Sequence, residues 1–281
     1  MDQITGSYGY WLPMDISAHG GPIDRLMAVI HWFMLLLFVG WGIYYVYCLI
    51  KFRARPGHTA TYAPVKAIFT KYVEAAVVVV EVVLLFGLST PVWFKYKGAP
   101  AGDANQIRLV AEQFAWNFHY AGKDGKFGRT DASLVSSENP LGLDPDDPDG
   151  KDDVVAVNQM HVAQGKPTVV TLSAKDVIHA FNIPVLRVKQ DAIPGQSVPV
   201  WFEATQTGHF ELACAQLCGL GHYRMRADVY VDTPEGFAKW QTDNAPGAPE
   251  AAAAPDAAPE KPAANPGEKP PGDGHATKTA P

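Results

Sequence analysis

From Leu26 to Ile50 the chain contains no Asp, Glu, Lys or Arg, and no other feature restricts its fold so severely. About 20 such residues cross a bilayer as a helix, which satisfies every backbone polar group within the segment. A second run, Tyr72 to Phe94, is similarly apolar except for Glu74 and Glu81. Together they predict a transmembrane hairpin over 24–97, with helices at about 26–50 and 72–94, after an N-terminal segment 1–23. The lipid bilayer is therefore the first expected partner.

Orientation follows from the basic residues, because short loops rich in Lys and Arg stay in the cytoplasm. The connection holds Lys51, Arg53, Arg55, Lys66 and Lys71, against Arg25 on one outer flank and Lys95 and Lys97 on the other. Both termini are thus expected outside the cytoplasm, on the periplasmic side of a bacterial inner membrane. The start, Met1-Asp-Gln-Ile-Thr-Gly, lacks the basic region and early apolar core of a cleavable signal, so the first helix is expected to act as an uncleaved export signal.

After Lys97 the pattern changes to short β-rich runs closed by Gly and Pro, among them Gln106–Ala111, Gln113–Tyr120, Thr168–Leu172 and Val198–Phe202. These predict an all-β domain over 98–240, with a Greek-key arrangement that gathers loops at one end. Between Glu138 and Asp153 the chain is dense in Pro, Gly and Asp and reads as a solvated loop. Its carboxylates, Asp144, Asp146, Asp147 and Asp149, are also candidates for steering a basic partner. Residues 241–281 are Ala, Pro, Gly, Glu and Lys-rich, too poor in apolar surface to order themselves.

Three Cys make no disulfide framework. Cys48 lies in the first apolar run and reads as a buried small residue. The other two belong to Cys214-Ala-Gln-Leu-Cys218-Gly-Leu-Gly-His222-Tyr-Arg-Met225, which offers two thiols, an imidazole and a thioether. Such donors suit copper. With the upstream His179 they could instead form a closed Cys2His2 zinc site, or the Cys pair a disulfide; zinc would leave Met225 idle. No later Cys exists, so a covalently attached haem further along the chain is excluded.

The spacing C-x3-C-x3-H-x2-M resembles the CuA loop of subunit II of haem-copper terminal oxidases. The likeness extends to Asp176-Val-Ile-His-Ala-Phe-Asn-Ile-Pro184 and Lys189-Gln-Asp-Ala-Ile-Pro-Gly195, and covers roughly residues 24 to 240. It implies a cupredoxin-like Greek-key β-barrel on a two-helix anchor. It also implies a binuclear copper centre held by His179, Cys214, Cys218, His222, Met225 and the carbonyl of Gln216. Many relatives carry Glu at that last position, where it holds Mg2+; a neutral amide suits Mg2+ poorly, so a magnesium site is the weaker expectation. The implied partners are subunit I with its haem and CuB, subunit III, and cytochrome c, with no nucleic acid.

Further roles come from the same likeness. The family's Gln-Trp-x-Trp electron-uptake segment is here Gln113-Phe-Ala-Trp116, so Phe114 and Trp116 are the candidates. Glu74 matches a carboxylate at the mouth of a proton path, and Lys189 and Asp191 face subunit I. The implied activity is cytochrome c oxidation coupled to O2 reduction and proton translocation. A CuA-bearing nitric oxide reductase subunit and a membrane-anchored copper carrier are the alternatives. His119, His161 and His209 read as ordinary polar positions on strands.

Overall fold

The computed structural model describes residues 12–60, 62, 67–100 and 102–246. Two long helices come first: α1, Gly20–Lys51, and a second rod made of α2, Ile68–Val82, and α3, Thr90–Lys97. Both are longer than the expected 26–50 and 72–94, because flanking polar residues continue the helical backbone beyond the apolar stretch. Their large apolar side chains are exposed along their length, Trp32 by 71% and Phe38 by 77%, the reverse of a helix in a soluble core. The protein is membrane-anchored. Lys66, used above in judging orientation, lies outside the described residues.

The second rod is not uniform. Residues Val83–Ser89 form a wider π-helical turn. Pro91 follows, and a proline can neither donate to the carbonyl four residues back nor avoid its ring clashing there. The wider turn sends the Thr90 amide and its hydroxyl to Leu85 O instead, the hydroxyl at 2.9 Å.

Among the described residues, ten strands build the β-domain. They are β1 Asn105–Glu112, β2 Ala115–Tyr120, β3 Val154–Val157, β4 Gln159–Ala163, β5 Pro167–Ala174, β6 His179–Ile183, β7 Val188–Ala192, β8 Val198–Glu203, β9 Gly208–Cys214 and β10 Arg226–Asp232. One sheet has the order β3-β2-β1-β5-β8 and the other β4-β10-β9-β6-β7. The pairs β1–β5 and β4–β10 are parallel and the rest antiparallel. The two sheets face one another as a sandwich, within the all-β class that the short β-rich runs predicted. In β5, Thr168, Val170, Leu172 and Ala174 point inward and are buried, while the residues between them are half-buried. Phe118, Phe181, Phe202 and Phe210 fill the space between the sheets.

Both ends of the β-domain lie elsewhere than the sequence placed them. Residues 13–19, assigned to a separate N-terminal segment, belong to it: Ile16 is fully buried in its core. The Ile16 amide donates to Val185 O, the Ala18 amide to Glu203 O and the Thr205 amide to Ile16 O. This strap covers the exposed edge beside β8, which would otherwise present unpaired backbone groups. At the other end α4, Pro234–Asp243, runs past residue 240, where the domain was expected to stop. Thr233 caps it by accepting from the Gly236 amide at 3.1 Å. Trp240 stacks on His161 at 4.1 Å and meets Tyr120 edge-on at 4.9 Å. Of the expected tail, residues 247–281 lie outside the described residues.

The acidic loop is less solvated than its composition suggested. Asp153 is buried; it meets His119 Nε2 at 2.6 Å and accepts from the amides of Gly122 and Gly128. Asp144 takes two N–H bonds from Arg129, Asp147 accepts the Arg129 amide, and Asp149 pairs with Lys126. Three of the four candidate steering carboxylates are therefore already engaged within the loop.

Candidate metal centre

The donors converge at one end of the sandwich. His179 is the first residue of β6, Cys214 the last of β9, and Met225 directly precedes β10. Because β9 pairs with both β6 and β10, the loop between Cys214 and Met225 must fold back beside His179. The amide of Cys214 bonds Met225 O at 3.0 Å and closes the loop at its base.

Within the loop the distances are short. Cys214 Sγ lies 3.8 Å from Cys218 Sγ, too far for a disulfide, whose sulfurs stand about 2.0 Å apart. The Cys218 sulfur is 3.5 Å from His222 Nδ1 and 3.7 Å from Met225 Sδ. The Cys214 sulfur is 3.2 Å from Gln216 O. Ligand atoms of His179, Cys214 and Cys218 all lie within 4.8 Å of one another, and all three residues are buried. The sequence-derived set is thus brought together, carbonyl of Gln216 included. The Gln216 side chain is exposed.

Two features test whether this set fits a metal ion. His179 is fully buried; its Nε2 faces Asp176 Oδ1 at 2.9 Å, while its Nδ1 has no partner among the described residues. A carboxylate holding one ring nitrogen leaves the other with its lone pair free, the usual arrangement of a metal-binding His. The thiols supply the second test. Burial, the neighbouring Cys214 and the hydrogen bond between them push the Cys218 thiol up to about 11, so a nearby cation is what would stabilise two thiolates there. Soft sulfur donors with two imidazoles fit copper, and the thioether beside Cys218 has a role that a closed zinc tetrahedron would not give it.

Asp176 and Gln113 organise the site without being donors. Burial raises the Asp176 carboxyl, but bonds from His179, the Gln113 amide and the Val177 amide outweigh this and hold it below the usual carboxylate range. The Gln113 amide reaches Asp176 Oδ2 at 2.7 Å, and its side-chain Nε2 donates to Cys218 O at 2.6 Å. One residue of the β1–β2 turn thus spans both ligand loops. No local signal in the sequence identifies these partners, although both residues sit inside the segments that carry the family likeness.

Phe114 and Trp116 occupy different levels. Phe114 is half-buried and lies over the ligand loop so closely that a Cβ on Gly221 would come within 2.4 Å of its ring. Trp116 is fully buried, its ring edge-on to His179 at 6.1 Å and to Phe181 at 6.3 Å. A direct surface contact by Trp116 is thereby ruled out in this chain. Around the loops, Leu217, Leu220 and Tyr223 are exposed by 77–96%. Sequence reasoning passed over this rim; the signal was apolar residues at loop positions that normally carry polar ones.

Other candidates lie apart. Lys189 and Asp191 form a loose pair with each other at 3.5 Å on β7. Glu74 and Glu81 are exposed on α2. The three strand histidines are not ordinary polar positions: His119 pairs with Asp153, His161 with Asp232 at 2.7 Å, and His209 with Asp228 at 2.9 Å. Each His and its Asp are brought together by strand or loop pairing that the sequence does not announce.

Comparison with known proteins gives a consistent result. A family model described as cytochrome c oxidase subunit II, periplasmic domain, matches residues 106–231. The alternative cytochrome c oxidase subunit 2 of Bradyrhizobium diazoefficiens is 36% identical over 233 residues, covering 82% of this chain and 82% of that protein. Cytochrome c oxidase subunit 2 of Cereibacter sphaeroides is 26% identical over 229 residues, covering 75% and 74% respectively. Among solved structures, the periplasmic domain of subunit II of cytochrome oxidase (CoxB) of Bradyrhizobium japonicum has 31% identity and a TM-score of 0.39, covering 52% of this chain and 96% of that one.

Proposed function

Since the chain belongs to the cytochrome c oxidase subunit II family, we propose that it is the electron-accepting subunit of a haem-copper terminal oxidase, taking electrons from cytochrome c and delivering them to subunit I. There O2 is reduced to water with proton translocation. The observation that carries the reading is the cage itself: two buried thiols 3.8 Å apart, with the unpartnered Nδ1 of His179, the imidazole of His222 and the thioether of Met225 around them.

His179, Cys214, Cys218, His222, Met225 and the Gln216 carbonyl would hold two copper ions as CuA. Two such ions would supply a one-electron couple. The protein's part is to keep the donors still. Asp176 fixes the tautomer and tilt of His179; Gln113 ties that carboxylate to the Cys218 backbone. Strands β6, β9 and β10 hold the bases of both loops, so little can move when the charge changes. Phe114 packs on the loop between Cys218 and His222 at Gly219 and Gly221.

The exposed rim of Leu217, Leu220 and Tyr223 supports protein docking at this end, since apolar patches rimmed by polar residues mark such surfaces. Phe114 is the better of the two electron-uptake candidates, being the one that reaches the surface. Glu74, a carboxylate on a lipid-facing helix, supports proton uptake against subunit I, because intramembrane ionisable groups normally face a partner or a water path. Lys189 and Asp191 remain our candidates for the subunit I boundary. Both termini lie on the periplasmic side in this reading. The strap 13–19 supports it, since it puts the start of α1 and the end of α3 at the β-domain's end of the hairpin.

Elemental analysis and optical and electron paramagnetic resonance spectra of the assembled membrane complex test the proposal. Two coppers per chain with a mixed-valence thiolate spectrum are expected, lost in Cys218→Ser. Zinc, or a single labile Cu(I) as in a copper carrier, would overturn it.

A further inference from the structure

We propose that Arg187 is a positioning residue for electron transfer: its guanidinium ties the turn after the His179 strand to the N-terminal end of α1, and so fixes how the metal cage stands over the membrane. The inference rests on the dinuclear copper reading above and extends it to residues outside the cage.

All five N–H donors of Arg187 are used. Nε donates to Asp24 Oδ1 at 2.7 Å and Nη2 to Asp24 Oδ2 at 2.8 Å, the two-pronged fork that suits a carboxylate. Nη1 donates to Pro184 O at 2.7 Å and Met14 O at 3.3 Å, and Nη2 also donates to Pro13 O at 2.7 Å. The Arg187 side chain is only 9% exposed, so this is not a solvated surface pair. Its backbone stands at φ 54°, a left-handed conformation uncommon for a residue with a side chain.

One residue therefore gathers three parts of the molecule. It belongs to the turn between β6 and β7, it holds the strap by two carbonyls, and it grips α1 through Asp24, 163 residues earlier. Among the described residues, two other hydrogen bonds cross the same junction, Tyr96 Oη to His19 O at 2.9 Å and Lys97 Nζ to Gln190 Oε1 at 2.8 Å. Each is a single bond, and the second is exposed. Among the described residues, only the Arg187 fork joins the turn after the ligand strand directly to a transmembrane helix.

A domain on a two-helix stalk rocks unless its interface forbids it, since modest inter-domain contacts leave relative motion as the default. Electron transfer to a centre in a partner subunit is sensitive to such motion because it depends on separation and orientation. A strand anchored at one end by His179 and at the other by Arg187 removes that freedom where it matters.

The test uses the assembled membrane complex carrying Arg187→Met, Arg187→Lys or Asp24→Ala. In all three we expect two coppers per chain, wild-type copper spectra and an unchanged rate of copper reduction by cytochrome c. Transfer from copper to the subunit I haem should slow by roughly tenfold in R187M and D24A, the scale at which small misplacements of reacting groups show in rates. R187K, which keeps the charge but not the fork, should fall between. Wild-type transfer in copper-replete D24A overturns the inference alone. Loss of copper in step with transfer overturns it too, by reducing Arg187 to a fold-stabilising role. A wild-type complex without two coppers instead fails the dinuclear reading.

Discussion

His179 presents its Nε2 to Asp176 Oδ1 at 2.9 Å, and the other oxygen of that carboxylate accepts the Gln113 amide at 2.7 Å. The carboxylate is thereby fixed from two sides, and the imidazole can turn only one nitrogen, Nδ1, toward the thiols. A group that orients a metal-binding His in this way commonly contributes 10- to 100-fold in affinity, roughly, when it is removed. Asp176→Ala should therefore weaken copper binding by about that factor while leaving the β-domain folded. Competition titration with a copper chelator measures it; unchanged affinity would show that the ring is held by packing alone.

Phe114 and Gly221 make a second pair that can be separated experimentally. A Cβ at position 221 would stand 2.4 Å from the Phe114 ring, so Gly221→Ala forces the ring or the ligand loop to shift. Overpacking of this kind costs about 1–3 kcal/mol. Gly221→Ala combined with Phe114→Ala should recover most of the loss, because the two effects share one contact. Denaturant midpoints of the four variants in the cycle give the coupling, and simple additivity would contradict the close approach.

The acidic loop should respond to pH through His119. Burial favours the neutral ring and outweighs the hydrogen bond and charge of Asp153, lowering the group from its ordinary 6.5; the charge of Arg108 lowers it further. A folded-state value below the unfolded one means that the unfolded chain binds the proton more readily. The contribution of this group is then fully present above about 6.5 and declines as pH falls through the lowered value. Protection of the Gly122 and Gly128 amides, both bonded to Asp153, should fall over that range. His119→Gln should flatten the profile, and an unchanged profile would assign the effect to other groups.

Trp240 reports on how α4 packs against the domain. It stacks on His161 and meets Tyr120, yet is itself half-buried. Trp240→Ala should therefore destabilise by somewhat less than the roughly 3–5 kcal/mol of a fully buried Trp→Ala change. Thermal unfolding of the two proteins checks this, and a neutral result would show that α4 adds no packing to the domain.

The candidate donors of the loop and the two membrane helices were readable in the chain because each is written locally. A run without charges has only one way to cross a bilayer, and Cys214, Cys218, His222 and Met225 share one loop whose spacing the family likeness explains. Several strands were readable for the same reason, as short β-rich runs closed by Gly and Pro, such as those that became β1, β2, β5 and β8. Asp176 also lay in view, but nothing local said that its carboxylate would hold His179.

Tertiary structure alone decided the rest. Arg187 and Asp24 are 163 residues apart, His161 and Asp232 are 71 apart, and Ile16 enters the core from the far side of a transmembrane helix. Such pairings carry no periodicity, since a polar group needs only one partner in the right place and the chain can supply it from any distance. Which loop residues are candidates to hold a metal follows from local sequence. How the cage is braced, and how it is fastened to the membrane, follows from contacts that exist only once the sheets have closed.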